Sequence, residues 1–368
     1  MGAITDIFRI FGPEYLKKYP QMPTQHKKTI AAIINCRSGE YGAAFYHCEG
    51  CGRRHKVDRS CGNRHCPQCQ YHKTRKWLDV QLDRSLPVKH TMLTFTVPAL
   101  IRPFCRANQQ AAYGAMFKAS SESIKALVKD PRFVGTDLPG FTGVLHTWGR
   151  MLPYHPHIHY IIPAGGLSSD RKKWIPARNS FYLPVRALSR IFRAKFKTEM
   201  VRMGLIDQIK PGVWATEWIV NCQAVGSPEA SFKYLAPYIF RVAISDSRIL
   251  AVKDRKVTFC YRKTGSRRIR KATLDVMDFI SRFLQHVLPG GFMKVRHYGF
   301  MNANCAVTIS KIRQMVVVCL KNIALLLSDE TQQPSPAMWQ GPFCSSCGAR
   351  LVYLFSIIPG RPCRGGPS

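Results

Sequence analysis

A short run of alternating histidines constrains the fold of this chain more than any other segment. His155, His157 and His159 occupy every second position, and an apolar run ending in two glycines follows them. Alternate side chains of a β-strand project from one face about 6–7 Å apart. The run therefore predicts a central strand on which Ile158 packs into the core while His157 and His159 bind one metal ion. The alternative is a set of core histidines that hydrogen bonds satisfy.

The charge of the chain predicts a polyanionic partner. Lys and Arg number 55 against 21 Asp and Glu, which gives a formal net charge of +34 over 368 residues. Such an excess attracts nucleic acid or an anionic membrane surface. No stretch approaches the roughly 20 apolar residues that a membrane-spanning helix needs. The longest candidate, Met315–Leu327, is interrupted by Lys321 and Asn322 and is predicted to be a buried helix.

Cysteine spacing predicts a small zinc-binding module near the N-terminus. The chain has 14 cysteines and no secretory signal pattern, so we expect a cytoplasmic protein with reduced thiols that bind metal. Cys48-x2-Cys51 and Cys66-x2-Cys69 are each typical of a knuckle that wraps one side of a tetrahedral ion. The two pairs are therefore predicted to hold one structural zinc as a ribbon.

Further possible ligands surround these two pairs. Cys36, Cys61 and His65, with His26 upstream, can supply a second tetrahedral site, so the sequence predicts one or two zinc ions. The alternative for Cys36 and Cys61 is a place in the core as small apolar residues.

The tail contains another, isolated pair. After Ser328 the composition turns to Thr, Gln, Pro and Ser, which indicates a linker, and Cys344-x2-Cys347 follows. Two cysteines fill only half of a tetrahedral zinc site. The pair therefore needs Cys363 or a distant cysteine, or it is a vestigial motif.

Local patterns predict the elements around the histidines. His90–Pro98 is rich in β-branched and aromatic residues and is predicted to be a strand, and Pro103–Val128 has the spacing of a helix. Phe141–Trp148 and Pro156–Pro163 are predicted to form an antiparallel hairpin. In that hairpin His146 lies across from the histidine run, as a third ligand or a neighbour that orients one.

Two tyrosines follow at helical spacing. Tyr234 and Tyr238 are four residues apart, downstream of Ser227–Glu229, whose cap residue, proline and acid predict a helix start. Such tyrosines usually only pack, but the histidines favour a nucleophilic role. A phenol with a pKa of about 10 attacks only when its phenolate is stabilised. Lys233 and Arg241 are candidates for lowering that pKa or for contacting phosphates.

Basic residues predict contact with phosphates in two regions. Lys253–Lys271 holds nine basic residues and one acid, with Phe259 and Tyr261 interleaved, and is predicted to be a basic hairpin; the alternative is a solvated hairpin. The cysteine module is also basic. The residues predicted to contact nucleic acid are Arg64, Lys73, Arg75, Lys233, Arg241, Arg262, Lys263, Arg267 and Arg268.

The order of the cysteine module, the histidine run and the paired tyrosines resembles that of the IS91 family of two-tyrosine HUH transposases, which belong to rolling-circle insertion sequences. The resemblance covers most of the chain, from the cysteine module to about Gly299. The strand Thr91–Val97 also looks like the first motif of rolling-circle replication initiators. The matching stretches are Ser60–Gln70, His146–Gly149 with His155–His159, Tyr234–Ile239, and Phe283–Pro289 leading into Arg296–Phe300.

The resemblance implies an α+β fold with an HUH endonuclease-type antiparallel sheet, flanking helices and a small zinc-ribbon-like domain before them. It also implies that Mg²⁺ or Mn²⁺ on His157 and His159, with a third ligand from His155, His146 or a distant polar residue, assists a tyrosine in nicking single-stranded DNA. The product is a 5′-phosphotyrosine link and a free 3′-hydroxyl, so rejoining needs no ATP. Two tyrosines allow two such links in sequence.

Pro237 departs from the family pattern. A proline inside a helix removes a hydrogen bond and bends the helix. We therefore expect Tyr234 and Tyr238 to lie at different distances from the metal, with Tyr234 the attacking residue.

The predicted domains are 1–80 for zinc binding and DNA contact, 81–250 for catalysis, 251–330 for the basic hairpin and a helical part, and 331–368 for the linker and tail. Two other functions stay open. A replication initiator or relaxase uses the same chemistry, and a non-enzymatic zinc-ribbon protein binds nucleic acid through charge alone. The sequence does not predict an oligomeric state.

Overall fold

The computed structural model describes residues 2–178, 183–227, 230, 232, 243–262, 266, 268–324, 342–360 and 364–365, with the backbone alone for 70–76, 321–324 and 364–365. The α-helices within these residues are α1 (Ala3–Lys18), α2 (Thr24–Ile34), α3 (Gln70–Asp83), α4 (Arg102–Ala107), α5 (Gln109–Val128), α6 (Val185–Arg202), α7 (Val276–Leu284) and α8 (Ile309–Ala324). The strands are β1 (Ala43–Cys48), β2 (Arg54–Asp58), β3 (His90–Thr96), β4 (Leu138–Trp148), β5 (Tyr154–Pro163), β6 (Gly165–Leu167), β7 (Trp174–Pro176), β8 (Ile219–Gly226), β9 (Ile249–Lys253), β10 (Lys256–Arg262), β11 (Ile269–Asp275), β12 (Val295–Gly299), β13 (Leu351–Ile357) and β14 (Arg364–Gly365).

An antiparallel sheet forms the centre of the molecule. Its strand order is β7-β6-β4-β5-β3-β8, and β12 also pairs with β4. Helices α5 and α6 pack together and cover one face of this sheet. The predicted α+β class with an antiparallel sheet and flanking helices is therefore confirmed.

Alternation along the central strands gives the sheet two different faces. Phe95, Ile158 and Tyr160 point into the main core, where they meet Phe192 of α6. The Tyr160 hydroxyl lies 2.7 Å from Ser120 Oγ on α5, so this fully buried phenol has a hydrogen-bond partner. Because side chains alternate, the odd-numbered residues of β5 lie on the opposite face.

That opposite face carries a small apolar cluster. Met92, Val144 and Ile161 pack there with Phe232, which is 1% exposed. Val144 pairs directly with His159 across β4 and β5. The apolar cluster therefore adjoins the histidines on the sheet face that α5 and α6 leave uncovered.

The predicted strands and hairpin are confirmed, and one predicted helix is divided. His146 lies opposite His157 in the β4–β5 hairpin, as the sequence predicted. The predicted helix Pro103–Val128 forms two helices, α4 and α5, because Asn108 leaves helical geometry at φ −119° and ψ 47°. The Asn108 amide donates to the Phe104 carbonyl and so caps the end of α4.

The predicted buried helix Met315–Leu327 corresponds to α8, but it is only partly buried. Ile312 and Val316 are buried against a small cluster, whereas Val317 is 38% and Val318 is 58% exposed. Among the described residues, no helix is both long and apolar enough to cross a membrane.

Two smaller sheets complete the fold. The N-terminal hairpin β1–β2 extends to the order β14-β13-β1-β2, because strand β13 of the tail pairs antiparallel with β1. The second sheet has the order β11-β10-β9 and buries Val257 and Phe259 in a cluster with Phe8 and Phe279. It contains the basic hairpin predicted within Lys253–Lys271.

Candidate active site and metal centres

Three histidines converge on the sheet face opposite α5 and α6. His146 on β4 and His157 and His159 on β5 each place one ring nitrogen within 4.8 Å of the others. The His146 ring centroid lies 5.2 Å from that of His157 and 4.6 Å from that of His159. Of the third ligands left open by the sequence, the structure thus brings His146 to the pair. His155 has its ring 5.2 Å from His157 but is not in the converging set.

Hydrogen bonds fix the orientation of two of these rings. Nδ1 of His157 donates to the carbonyl of His155 at 2.6 Å, and Nδ1 of His159 lies 2.9 Å from the Thr94 hydroxyl. These contacts leave Nε2 of each ring as the nitrogen for a metal ion. Sequence reasoning missed Thr94, although its place in the predicted strand beside the histidines was the available signal.

Burial keeps two of these imidazoles neutral at ordinary pH. It lowers the pKa of His159 to about 4, and burial together with the neighbouring His159 lowers the pKa of His157 well below its usual range. A metal ligand must be deprotonated, so this environment favours binding of a metal ion. Three imidazole nitrogens within reach of one point fit a divalent transition-metal ion.

An aromatic side chain closes the site on the side of β4. The Trp148 ring stacks on His146, with centroids 5.1 Å apart and planes 18° apart. The Lys294 ammonium lies 4.8 Å from the centre of the Trp148 ring. Burial lowers the pKa of Lys294 to about 7, so this amine is poised to change charge near neutral pH.

The tyrosines lie outside the described residues. Tyr234, Tyr238, Lys233 and Arg241 all fall in that part of the chain. Phe232, two residues before Tyr234, is described and is buried on the same sheet face as the histidines.

Four cysteines of the N-terminal module form a complete tetrahedral set. The sulfurs of Cys36, Cys61, Cys66 and Cys69 all lie within 4.8 Å of one another. Cys69 Sγ is 3.6 Å from Cys36 Sγ and 3.5 Å from Cys61 Sγ. A zinc–sulfur distance of about 2.3 Å gives a tetrahedron with edges of about 3.8 Å, so these residues fit a structural zinc.

The two predicted histidine ligands of this module do not join the set. Nε2 of His65 accepts a hydrogen bond from the Leu288 backbone N–H at 3.2 Å, and the ring is buried. His65 therefore connects the module to the segment between α7 and β12. Burial lowers the pKa of His26 to about 4, but His26 is likewise absent from the cysteine cluster.

The predicted zinc ribbon was wrong in its pairing. Cys48 and Cys51 do not meet Cys66 and Cys69; the structure places them in a separate cluster with two cysteines of the tail. Spacing alone cannot decide which pairs share an ion, because several combinations of cysteines satisfy the same tetrahedron. The pairing depends on the long-range contact of β1 with β13.

The structure gives Arg64, a predicted nucleic-acid contact, hydrogen-bond partners within the protein. The Arg64 guanidinium donates to the carbonyls of Pro289 and Phe292, at 2.5 Å each, which indicates a structural role. Arg262 and Arg268 are exposed on the basic sheet, as expected for phosphate contacts. The side chains of Lys73 and Arg75, and the whole of Lys263 and Arg267, lie outside the described residues.

Comparison with known proteins identifies the family. A family model described as "Putative transposase" matches residues 140–308, which include the histidine cluster, and one described as "Transposase zinc-binding domain" matches residues 7–97. The chain is 33% identical to "Putative transposase y4qJ" of Sinorhizobium fredii, over 98% of this chain and 97% of that protein.

A second relative is named for the insertion sequence that carries it. The chain is 23% identical to "Transposase for insertion sequence element IS801" of Pseudomonas savastanoi pv. phaseolicola, over 90% of this chain and 83% of that protein. No solved structure gives a significant match. Together with the zinc-binding module and the order of the motifs, these matches show that the chain belongs to the IS91 family of transposases.

Proposed function

We propose that this transposase nicks and joins single-stranded DNA through a 5′-phosphotyrosine intermediate, with His146, His157 and His159 as ligands of a divalent cation. The observation that carries the proposal is the convergence of three imidazoles, of which burial keeps His157 and His159 neutral, on the sheet face opposite α5 and α6. Tyr234 follows Phe232 by two residues, and Phe232 packs with Val144 and Ile161 on the same face of the sheet as the imidazoles.

The cation, when bound, polarises the scissile phosphate and offsets charge that develops on its oxygens. Thr94 and the His155 carbonyl hold the rings of His159 and His157 in the orientation that presents Nε2. Three nitrogen ligands suit Mn²⁺ better than Mg²⁺, which prefers oxygen. We therefore expect Mn²⁺ to support the reaction at lower concentration than Mg²⁺.

A tyrosine supplies the nucleophile. Its phenolic oxygen forms a bond to phosphorus, and the 3′-oxygen leaves and takes up a proton, which gives a 5′-phosphotyrosine and a free 3′-hydroxyl. One phosphoester bond replaces another, so the reverse step rejoins DNA without ATP. In the sequence, Tyr234 is two residues and Tyr238 six residues after Phe232.

Single-stranded DNA fits the charge of this chain. The net charge is +34, and exposed Arg262 and Arg268 lie on the sheet β9–β11. A basic surface binds the backbone of a single strand, and aromatic side chains provide stacking platforms for its bases. Arg150 links this sheet to the hairpin of the histidines, because its guanidinium donates to the Arg262 carbonyl at 2.7 Å.

The test combines binding and cleavage on one substrate set. The substrates are single-stranded oligonucleotides that tile the DNA on both sides of the gene. Each is incubated with Mn²⁺ and one of three proteins: wild type, the double variant His157→Ala/His159→Ala, or His155→Ala. The double variant should lose nicking and retain most of its DNA affinity, because affinity depends on phosphate contacts elsewhere. His155→Ala is the matched control, since it removes an adjacent imidazole but keeps the carbonyl that orients His157. Metal-dependent nicking by the double variant would refute the ligand assignment.

A further inference from the structure

Two cysteine pairs from opposite ends of the chain meet in the structure. The sulfurs of Cys48, Cys51, Cys344 and Cys347 lie within 4.8 Å of one another. Cys48 Sγ is 3.4 Å from Cys347 Sγ, and Cys51 Sγ is 3.7 Å from Cys344 Sγ. These separations approach the tetrahedral edge of about 3.8 Å expected around zinc and are far longer than a disulfide bond of about 2.05 Å.

The two pairs also have the same backbone turn. Gly52 N–H donates to the Cys48 carbonyl and Gly348 N–H donates to the Cys344 carbonyl, each at 2.9 Å. Both glycines have positive φ, 71° at Gly52 and 75° at Gly348, which favours glycine at each position. Ser346 N–H also donates to Cys344 Sγ at 3.4 Å, a contact that stabilises a thiolate. The arrangement is two facing knuckles.

Besides the β1–β13 pairing and a contact of His55 Nε2 with Cys344 Sγ at 3.3 Å, the described residues give the knuckles only a small apolar core. The apolar cluster here contains only Cys48, Cys344 and Leu351 as buried members. Arg53 Nη1 donates to Ser346 Oγ at 2.8 Å across the two knuckles, on an exposed surface where one hydrogen bond adds little. A module with so small a core depends on a bound ion for its fold.

We infer that Cys48, Cys51, Cys344 and Cys347 bind a zinc ion of their own, which fastens the C-terminal tail to the N-terminal module. This site is separate from the cluster of Cys36, and half of its ligands lie beyond the matched zinc-binding domain. It explains why the tail contains a half-site. The ion joins strand β13 to β1 across the two ends of the sequence.

The two zinc sites differ in exposure, and this gives a way to distinguish them. Cys51 and Cys347 are exposed, whereas three of the four ligands in the other cluster are buried. A chelator should therefore remove the tail zinc first and the zinc of the Cys36 cluster slowly.

The first test is the zinc content of the purified full-length protein. Wild type should contain two equivalents, Cys344→Ser/Cys347→Ser should contain one, and the matched control Cys305→Ser/Cys319→Ser should contain two. Cys305 and Cys319 belong to neither cluster. A tail variant with the same zinc content as wild type would overturn the inference.

A second test uses wild type alone, so it does not depend on the folding of a variant. The protein is treated with a chelator and N-ethylmaleimide, and alkylated cysteines are located by mass spectrometry over time. Cys48, Cys51, Cys344 and Cys347 should become alkylated together, in step with release of the first zinc equivalent. Alkylation of Cys344 and Cys347 before any zinc is released would contradict the site, and so would recovery of the four residues as disulfides.

Discussion

Replacing His146 with phenylalanine separates the effect of its ring nitrogens on metal binding from the effect of its ring on packing. His146 is 1% exposed and stacks on Trp148 with centroids 5.1 Å apart, and phenylalanine retains a ring in that stack. Phenylalanine is larger than histidine and lacks both ring nitrogens, so the free energy of unfolding of the metal-free variant is measured first. The effect of the lost ligand is then the change in how much Mn²⁺ adds to that value.

The expected magnitude follows from binding linkage. Mn²⁺ at 100 times its Kd stabilises a protein by about 2.7 kcal/mol. Removal of one ligand of three should weaken binding at least as much as loss of an orienting partner, which costs about 10–100-fold. With a 100-fold loss, the same Mn²⁺ concentration stabilises His146→Phe by only about 0.4 kcal/mol.

The assay is thermal unfolding with EDTA and with Mn²⁺. Wild type and the control His155→Phe should show the full stabilisation by Mn²⁺, and His146→Phe should lose most of it. Equal stabilisation of His146→Phe and wild type would refute His146 as a ligand. Loss of the effect in His155→Phe would assign the third position to His155.

Three further predictions concern stability and orientation. Burial lowers the pKa of His286 to about 3 and the pKa of His90 to about 4, so both side chains stay neutral in the folded protein. Their contribution to the free energy of unfolding is complete above pH 6.5 and is lost as the pH falls toward these pKa values. The loss is about 1.4 kcal/mol per pH unit for each histidine. Urea unfolding at pH 7.5 and pH 5.0 tests this. Between these pH values His286→Gln should lose less free energy of unfolding than wild type. Arg64→Ala should lower the free energy of unfolding by about 3 kcal/mol without weakening DNA affinity, because the guanidinium donates to backbone carbonyls. A fall in DNA affinity of similar size would support the predicted contact of Arg64 with nucleic acid. Thr94→Val should weaken Mn²⁺ binding about 10–100-fold in calorimetry, since it frees Nδ1 of His159, and an unchanged Kd would exclude this role.

The active-site strands were predictable because their signal is local. Strand alternation predicted that His157 and His159 share a face, and the hairpin predicted His146 opposite them, as observed. The choice between His146 and His155 required ring positions, which depend on hydrogen bonds with partners such as the His155 carbonyl.

The cysteine partners were not predictable, because they depend on contacts across the whole chain. Cys48 lies 296 positions before Cys344 in the sequence, and strand pairing between β1 and β13 brings them together. For the tail pair the sequence left three alternatives open: Cys363, a distant cysteine or a vestigial motif. The internal partners of Arg64 were not predictable for a related reason, since a charged residue in a basic segment can donate to carbonyls from another part of the chain as well as to phosphate. Its contact with nucleic acid stays a prediction.

Family membership decides between the functions that the sequence left open. Matches over nearly the full chain to proteins named as transposases favour transposition over a replication initiator or relaxase. A zinc-ribbon protein without catalysis does not require three converging imidazoles on a central sheet.

The central claim is that a tyrosine of this chain becomes covalently joined to DNA. The most direct measurement is formation of a protease-sensitive DNA adduct on a single-stranded oligonucleotide with Mn²⁺, compared among wild type, Tyr234→Phe, Tyr238→Phe and the double variant. We predict that wild type and Tyr238→Phe form the adduct and that Tyr234→Phe and the double variant do not. Loss in Tyr238→Phe alone would reverse the order of the two tyrosines, and an adduct that persists in the double variant would contradict the phosphotyrosine mechanism.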